Sequence, residues 1–206
     1  MKKGIFITLE GGEGTGKTEQ MNFIKRWLEH HNIPYIATHE PGGTELGEAL
    51  RPIIKYADYP IGDRAELLLF NASRAQLIDQ VIVPNLNKGV SIICDRFMDS
   101  TYAYQCWGRG LNADDVMNIV YFATDNREPD VTFWLDLNPK DAFIRKNGAD
   151  ESDRFEQASE IHERVYNAYK ALNEKLDRFV RIDASKNIAE VSKQIAEHLE
   201  KIFEID

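Results

Sequence analysis

The run Gly11-Gly12-Glu13-Gly14-Thr15-Gly16-Lys17-Thr18 sets glycines, a lysine and a threonine at the spacing GxxxxGKT, and the chemistry this spacing serves is the binding of phosphate. Glycines let a backbone bend until successive N–H groups converge on an anion. A helix opening at Thr15 or Gly16 adds its free N–H groups and the positive end of its dipole. Lys17 can then reach the β- and γ-phosphates of a nucleoside triphosphate, and the Thr18 hydroxyl can ligate Mg²⁺. A Gly-rich turn without a ligand would leave both residues without a task. A second chemical pair, Asp95-Arg96, directly follows an apolar run. An acid at the C-terminal end of a parallel strand stands where open α/β sheets bind ligands, and an arginine there offers a planar fork of donors for a phosphate. Singly, Asp95 reads equally as a turn cap and Arg96 as a surface cation; as neighbours beside a phosphate cradle they read as a site. The Asn-Lys-x-Asp segment by which GTPases read guanine does not occur.

Elements must hold these groups in place. Apolar runs at 5–9, 34–38, 90–94, 131–135 and 179–182 predict five strands. Helical periodicity follows the cradle, with Met21, Ile24, Trp27 and Leu28 on one side, and recurs at 45–54, 63–86, 113–122, 139–146, 156–175 and 188–203. Strands alternating with helices predict a three-layer α/β/α fold around a five-stranded parallel sheet, the P-loop NTPase arrangement. The 206 residues suit one domain, 1–206, large enough to bury a core without metal or disulfide staples. The polar stretch 147–153 is a candidate mobile loop.

Bulk composition narrows the class. A formal net charge of -9 argues against a surface for nucleic acid or an anionic membrane, while leaving room for one basic pocket. Cys94, inside an apolar run, reads as a small buried thiol; Cys106 lies in what reads as a Gly-rich loop, and nothing suggests a disulfide framework. The histidines show no zinc spacing. The N-terminus is too short and polar for a signal peptide, and no apolar stretch approaches the length of a membrane span, so the expectation is a cytoplasmic protein.

With Glu40-Pro41-Gly42-Gly43-Thr44, Asp95-Arg96, Ser100-Thr101, Ala103-Tyr104-Gln105 and Gly108-Arg109-Gly110 added to the cradle, the sequence resembles thymidylate kinase over essentially its whole length. The resemblance implies ATP as donor, Mg²⁺, dTMP as acceptor and a two-fold homodimer, with interface candidates at 67–70 and the helix from 113. It implies that Glu13 holds the acceptor's 3′-hydroxyl. Phe70 becomes a platform for thymine, although its apolar neighbours alone would make it a core ring. Arg74 contacts the base edge, Arg51 and Arg96 the acceptor phosphate, Tyr104 and Gln105 close over the sugar and base, and Ser100 also binds the acceptor. From its type alone, Tyr104 is equally a packed aromatic.

Some members of that family carry a catalytic arginine within the P-loop, where this chain has Gly14; others supply it from a lid. The resemblance therefore implies a bacterial-type lid at about 145–156, with Arg145, Lys146 and Arg154 as its cations. Lys146 reads equally as a solvated surface residue. The catalytic set implied is Lys17, Arg96, Arg145, Arg154 and Asp95, with Mg²⁺ on Thr18 and reached through water by Glu10 or Asp95. The chain departs from the family in placing Cys106-Trp107 where many relatives have a glycine-rich run, and the sequence leaves open what this bulk does to the packing over the acceptor. Alternatives are another deoxynucleoside monophosphate kinase or, more remotely, an ATP-hydrolysing switch, against which the acceptor residues speak.

Overall fold

The computed structural model describes residues 3–146 and 159–205. Its strands are β1 (Phe6–Glu10), β2 (Tyr35–His39), β3 (Ser91–Asp95), β4 (Val131–Asp136) and β5 (Phe179–Asp183). Among the described residues they form one parallel sheet in the order β2-β3-β1-β4-β5. The helices are α1 (Lys17–His30), α2 (Glu45–Tyr56), α3 (Asp63–Leu77), α4 (Val83–Leu86), α5 (Met98–Thr101), α6 (Ala113–Thr124), α7 (Pro139–Lys146), α8 (Ser159–Lys175) and α9 (Ile188–Phe203). Several strands run past their last apolar residue, because His39 still pairs with Asp95 and Asp136 with Asp183. Hydrophobicity does not mark those ends; main-chain pairing does.

Strand periodicity explains the layers. Ile7 and Leu9 of β1 face Ile24 and Leu28 of α1 and Ile195 and Leu199 of α9. Phe6 points the other way, into a cluster with Leu77, Ile78, Val116 and Val120. Trp134 of β4 meets Val165, Ala168 and Tyr169 of α8 in a third cluster. Burying each such side chain contributes about 1.5–3 kcal/mol. The chain leaves neighbouring β1 and β3 toward opposite faces, α1 to one and α6 to the other, and opens a crevice at their carboxyl ends, where ligands bind in such sheets. No helix of the described residues is long and apolar enough to cross a membrane.

The helical reading needs two corrections. The continuous helix expected at 63–86 is interrupted by a π-helical turn, Ile78–Ile82, closed by Val83 N–H donating to Ile78 O. Pro84 has no N–H to give and its ring crowds the preceding turn, so a widened turn just ahead of it keeps the chain helical. The stretch expected as a Gly-rich loop is α5 followed by a π-helix, Tyr102–Gly108, packed on α8. A Cβ on Gly108 would stand 3.1 Å from Ile161 Cγ2 of α8. That glycine serves close packing there, which sequence alone reads as a loop signal.

Candidate active site

The cradle leaves β1 with Gly11 at φ 141° and turns through Gly14 at φ 75° and Gly16 at φ 94°, conformations that side-chain-bearing residues rarely adopt. Thr15 Oγ1 donates to Gly12 O at 2.9 Å and pins the turn. Lys17 Nζ donates to Gly11 O at 3.2 Å and Gly12 O at 2.8 Å. Burial lowers the Lys17 pKa, and the nearby Arg96 charge adds to this, against the pull of Glu13, Asp95 and Glu10. Gly14 also answers a packing demand: a Cβ there would lie 2.4 Å from Ala142 O of α7.

A cavity of about 460 Å³ opens beside the cradle. Glu13, Lys17, Thr18, Arg51, Phe70, Arg74, Asp95, Arg96, Ser100, Tyr104 and Gln105 share its wall, so the structure brings together the whole acceptor set expected from sequence. Arg96 follows β3 with its N–H on Leu9 O at 3.0 Å and φ 67°, a left-handed conformation that costs a non-glycine residue strain. That turn aims its guanidinium at Glu13 Oε1 (2.8 Å) and Ser100 Oγ (3.1 Å), with the Tyr104 ring 5.3 Å away. Arg51 stands on α2, which Thr44 caps by accepting from Gly47 N–H at 3.0 Å; its Nη1 donates to Pro41 O at 2.7 Å. Phe70 is half-buried on the cavity wall and so is no core ring. Tyr104 is both, packed to 8% exposure and lining the cavity, and burial pushes its hydroxyl up to about 12.

Arg74 is 1% exposed and donates to both carboxylate oxygens of Glu40, to Asn71 Oδ1 at 3.1 Å and to Phe97 O at 3.2 Å. Burial raises the Glu40 pKa against the opposing charge of Arg74. Glu10 is fully buried behind Ser100. Its oxygens accept from Phe97 N–H (2.8 Å), Ser100 Oγ (2.6 Å) and Tyr169 Oη (2.8 Å). Protein donors take up the Glu10 oxygens, whereas Asp95 lines the cavity.

A second groove lies across Gly14 to Gly16, lined also by Glu19, Gln20, Arg145 and residues 184, 186–189 and 191. Arg145 Nη1 and Nη2 donate to Ala184 O (2.7 Å) and Ser185 O (3.1 Å), which places this arginine at the groove and away from the acceptor cavity wall. Arg154 and the rest of the expected lid, residues 147–156, lie outside the described residues, as does the Lys146 side chain.

The profile of the thymidylate kinase family matches residues 9–195. The chain belongs to the thymidylate kinase family. It is 42% identical over 199 residues to a thymidylate kinase of Carboxydothermus hydrogenoformans, covering 96% of this chain and 98% of that one. It is 44% identical over 192 residues to one from a Synechococcus species (93% of each chain), and 40% identical over 200 residues to one from Clostridium novyi (95% and 98%).

Within this family frame, Cys106 and Trp107 stay clear of the acceptor wall, a point the sequence left open. Cys106 is buried in the cluster of Leu67, Val116 and Val120, and Trp107 is 40% exposed. Helical winding turns both away from the cavity that Tyr104 and Gln105 line. The sequence reading missed His39, Glu40, Pro41, Lys55 and Thr101 as wall residues. Lys55 stands one helical turn beyond Arg51, and His39 ends β2 at the same sheet edge as Asp95, so both signals were available. The groove at 184–191 follows β5 at that edge as well.

A divalent cation fits the donor set. Asp95 Oδ1 is buried with no partner among the described residues, and the Thr18 hydroxyl belongs to the same cavity wall. Oxygen donors of this kind suit a hard, hydrated cation. No group of three or more His, Cys, Asp or Glu able to hold a metal occurs among the described residues, so phosphate oxygens and water would complete its shell.

Proposed function

We infer that the protein transfers the γ-phosphoryl group of ATP to dTMP, giving ADP and dTDP on the way to dTTP for DNA synthesis. The observation that carries this reading is a single cavity in which the phosphate cradle, Arg51, Arg74, Arg96 and the Phe70 ring share a wall. ATP lies along the second groove with its phosphates on the cradle, and dTMP fills the acceptor cavity. Phe70 stacks on the thymine, Arg74 gives a hydrogen bond to its edge, Glu13 accepts from the 3′-hydroxyl, and Tyr104 crowds the position of a 2′-hydroxyl. Arg51 and Arg96 hold the acceptor phosphate, with Ser100 keeping Arg96 in place.

A phosphate oxygen of dTMP is already ionised at neutral pH, so it attacks the γ-phosphorus without a strong base. The bond from that phosphorus to the β,γ-bridging oxygen breaks in line, and its electron pair stays on ADP. Catalysis then rests on position and charge: Lys17, with Arg145 and Arg154 from a closing lid, meets the charge spread over the transferred oxygens. Thr18, and Asp95 through water, would hold a Mg²⁺ ion that offsets phosphate charge when bound. The active species is a cytoplasmic homodimer joined through α3 and α6, whose Leu68 and Phe122 are 56% and 89% exposed.

Phosphoryl transfer from ATP to a panel of nucleoside monophosphates tests the reading. The expected order in kcat/KM is dTMP, then dUMP, then dCMP far behind, with purine monophosphates inert. Losing one buried methyl costs about 1 kcal/mol, whereas the cytosine amino group would face the Arg74 donors with nothing to accept them. A preference for dCMP or a purine overturns the acceptor. ATP hydrolysis indifferent to any acceptor makes the protein a switch.

A further inference from the structure

Glu66 lies on α3 one turn before Phe70 and two before Arg74, on the same face, yet it is 1% exposed. Its Oε1 accepts from Gln105 Nε2 at 3.0 Å, and Arg109 donates to Oε1 at 3.2 Å and to Oε2 at 3.1 Å. A carboxylate only accepts, so this bond fixes the sense of the Gln105 amide. Turned over, the amide would set its carbonyl oxygen against the carboxylate, two acceptors with no proton between them. One Nε2 N–H is bound to Glu66, which turns the nitrogen end of the amide toward the carboxylate and points its side-chain oxygen, which accepts no hydrogen bond from a described residue, away from it in a residue that lines the cavity.

Arg74 is fixed in the complementary sense. Of its five N–H groups, the one on Nε and the two on Nη2 serve Glu40 and Phe97 O, and Nη1 gives one to Asn71. One N–H of Nη1 is left. The same cavity therefore offers one acceptor and one donor, each with its polarity set from behind by a buried carboxylate.

We propose that Glu66 is a specificity-determining positioning residue: by fixing the Gln105 amide it selects a pyrimidine with a protonated N3 beside a 4-carbonyl and rejects one with a 4-amino group beside an unprotonated N3. The proposal rests on the acceptor reading above. Uracil and thymine present N3–H to the Gln105 oxygen and O4 to Arg74. Cytosine presents the reverse at both positions, leaving acceptor against acceptor and donor against donor. Glu66→Gln removes the constraint, because a glutamine can accept from or donate to the Gln105 amide in either orientation.

The experiment compares kcat/KM for dTMP, dUMP and dCMP in wild type, Glu66→Gln, Gln105→Leu and the double variant. Glu66→Gln is expected to lower the dTMP-to-dCMP ratio by roughly 10-fold, the scale of one reversed hydrogen bond, with the dTMP-to-dUMP ratio and the KM for ATP unchanged. Gln105→Leu should lower the same ratio, and the double variant no further, because both act through one amide. An unchanged ratio in Glu66→Gln, an equal loss of both ratios, or additive effects in the double variant would overturn the proposal. Should Glu66→Gln fail to fold, Gln105→Leu decides, and an unchanged ratio there overturns it too. Wild type that does not prefer dTMP to dCMP would instead sink the acceptor reading on which the proposal stands.

Discussion

Lys17 is 7% exposed, with its ammonium resting on the carbonyl oxygens of Gly11 and Gly12. A cation parked on loop carbonyls beside a nucleotide groove can transfer those bonds to phosphate oxygens at little cost in reorganisation. Lys17→Ala should leave the circular dichroism spectrum unchanged and cut kcat by about 10²-fold or more, the scale of a lost transition-state donor; near wild-type turnover would remove Lys17 from the mechanism. Glu10 makes a different prediction. Burial first, and the charge of Asp99 second, push its carboxyl up to about 7 from 4.5, against Arg96 and the hydrogen bonds from Ser100 and Tyr169. The folded-state value lies above the unfolded one, so this group's contribution to stability is full below pH 4.5 and is lost as pH rises through about 7. Thermal unfolding of Glu10→Gln, which has no proton to lose there, should vary less than wild type between pH 5 and 8. The difference should be on the order of 3 kcal/mol, and parallel curves would show that Glu10 does not titrate in this range.

At the scale of elements, the contact between cradle and α7 decides where catalytic charge can sit. Gly14 has φ 75° and a Cβ there would run into Ala142 O, so a side chain at this position would displace α7. The same helix carries Arg145, tied to the carbonyls of residues 184 and 185. On the proposed reading the cations for the transferred phosphoryl are Arg145, on this helix, and Arg154, which lies outside the described residues. Arg154→Ala should lower kcat by about 10²-fold while the dTMP dissociation constant, from calorimetry, stays within a few-fold. A collapse of dTMP affinity with kcat preserved would reassign Arg154 to the acceptor. The π-helix Tyr102–Gly108 shows another side of this scale: it puts Tyr104 and Gln105 on the cavity and sends Cys106 into the core, a division that nothing in local composition announces.

For the whole molecule, α3 and α6 pack on one another and leave Leu68 and Phe122 on the outside. A ring 89% in water on an ordered helix is a cost that a second subunit would relieve. Light scattering should give twice the chain mass, and Phe122→Asp should shift the protein toward monomer with its helical content intact. A monomeric wild type would refute the association through these helices.

The P-loop, the order of strands and helices and the pairing of Asp95 with Arg96 were legible in sequence because each is a local pattern: spacing, periodicity, or an acid ending an apolar run. Arg51, Phe70, Tyr104 and Gln105 were legible by resemblance, and the fold sets all four around one cavity. What tertiary structure alone decided is what each side chain is bound to. Glu10 comes to Tyr169 across 159 positions, and Glu40 to Arg74 across 34. The capture of Gln105 by Glu66 spans 39 more. Such pairs depend on which helix lies over which strand, and a buried polar group takes whatever partner packing brings to it because leaving it unpaired costs about 1–3 kcal/mol. Residue type sets what a group can donate or accept; only the fold sets which of those bonds remain for a ligand.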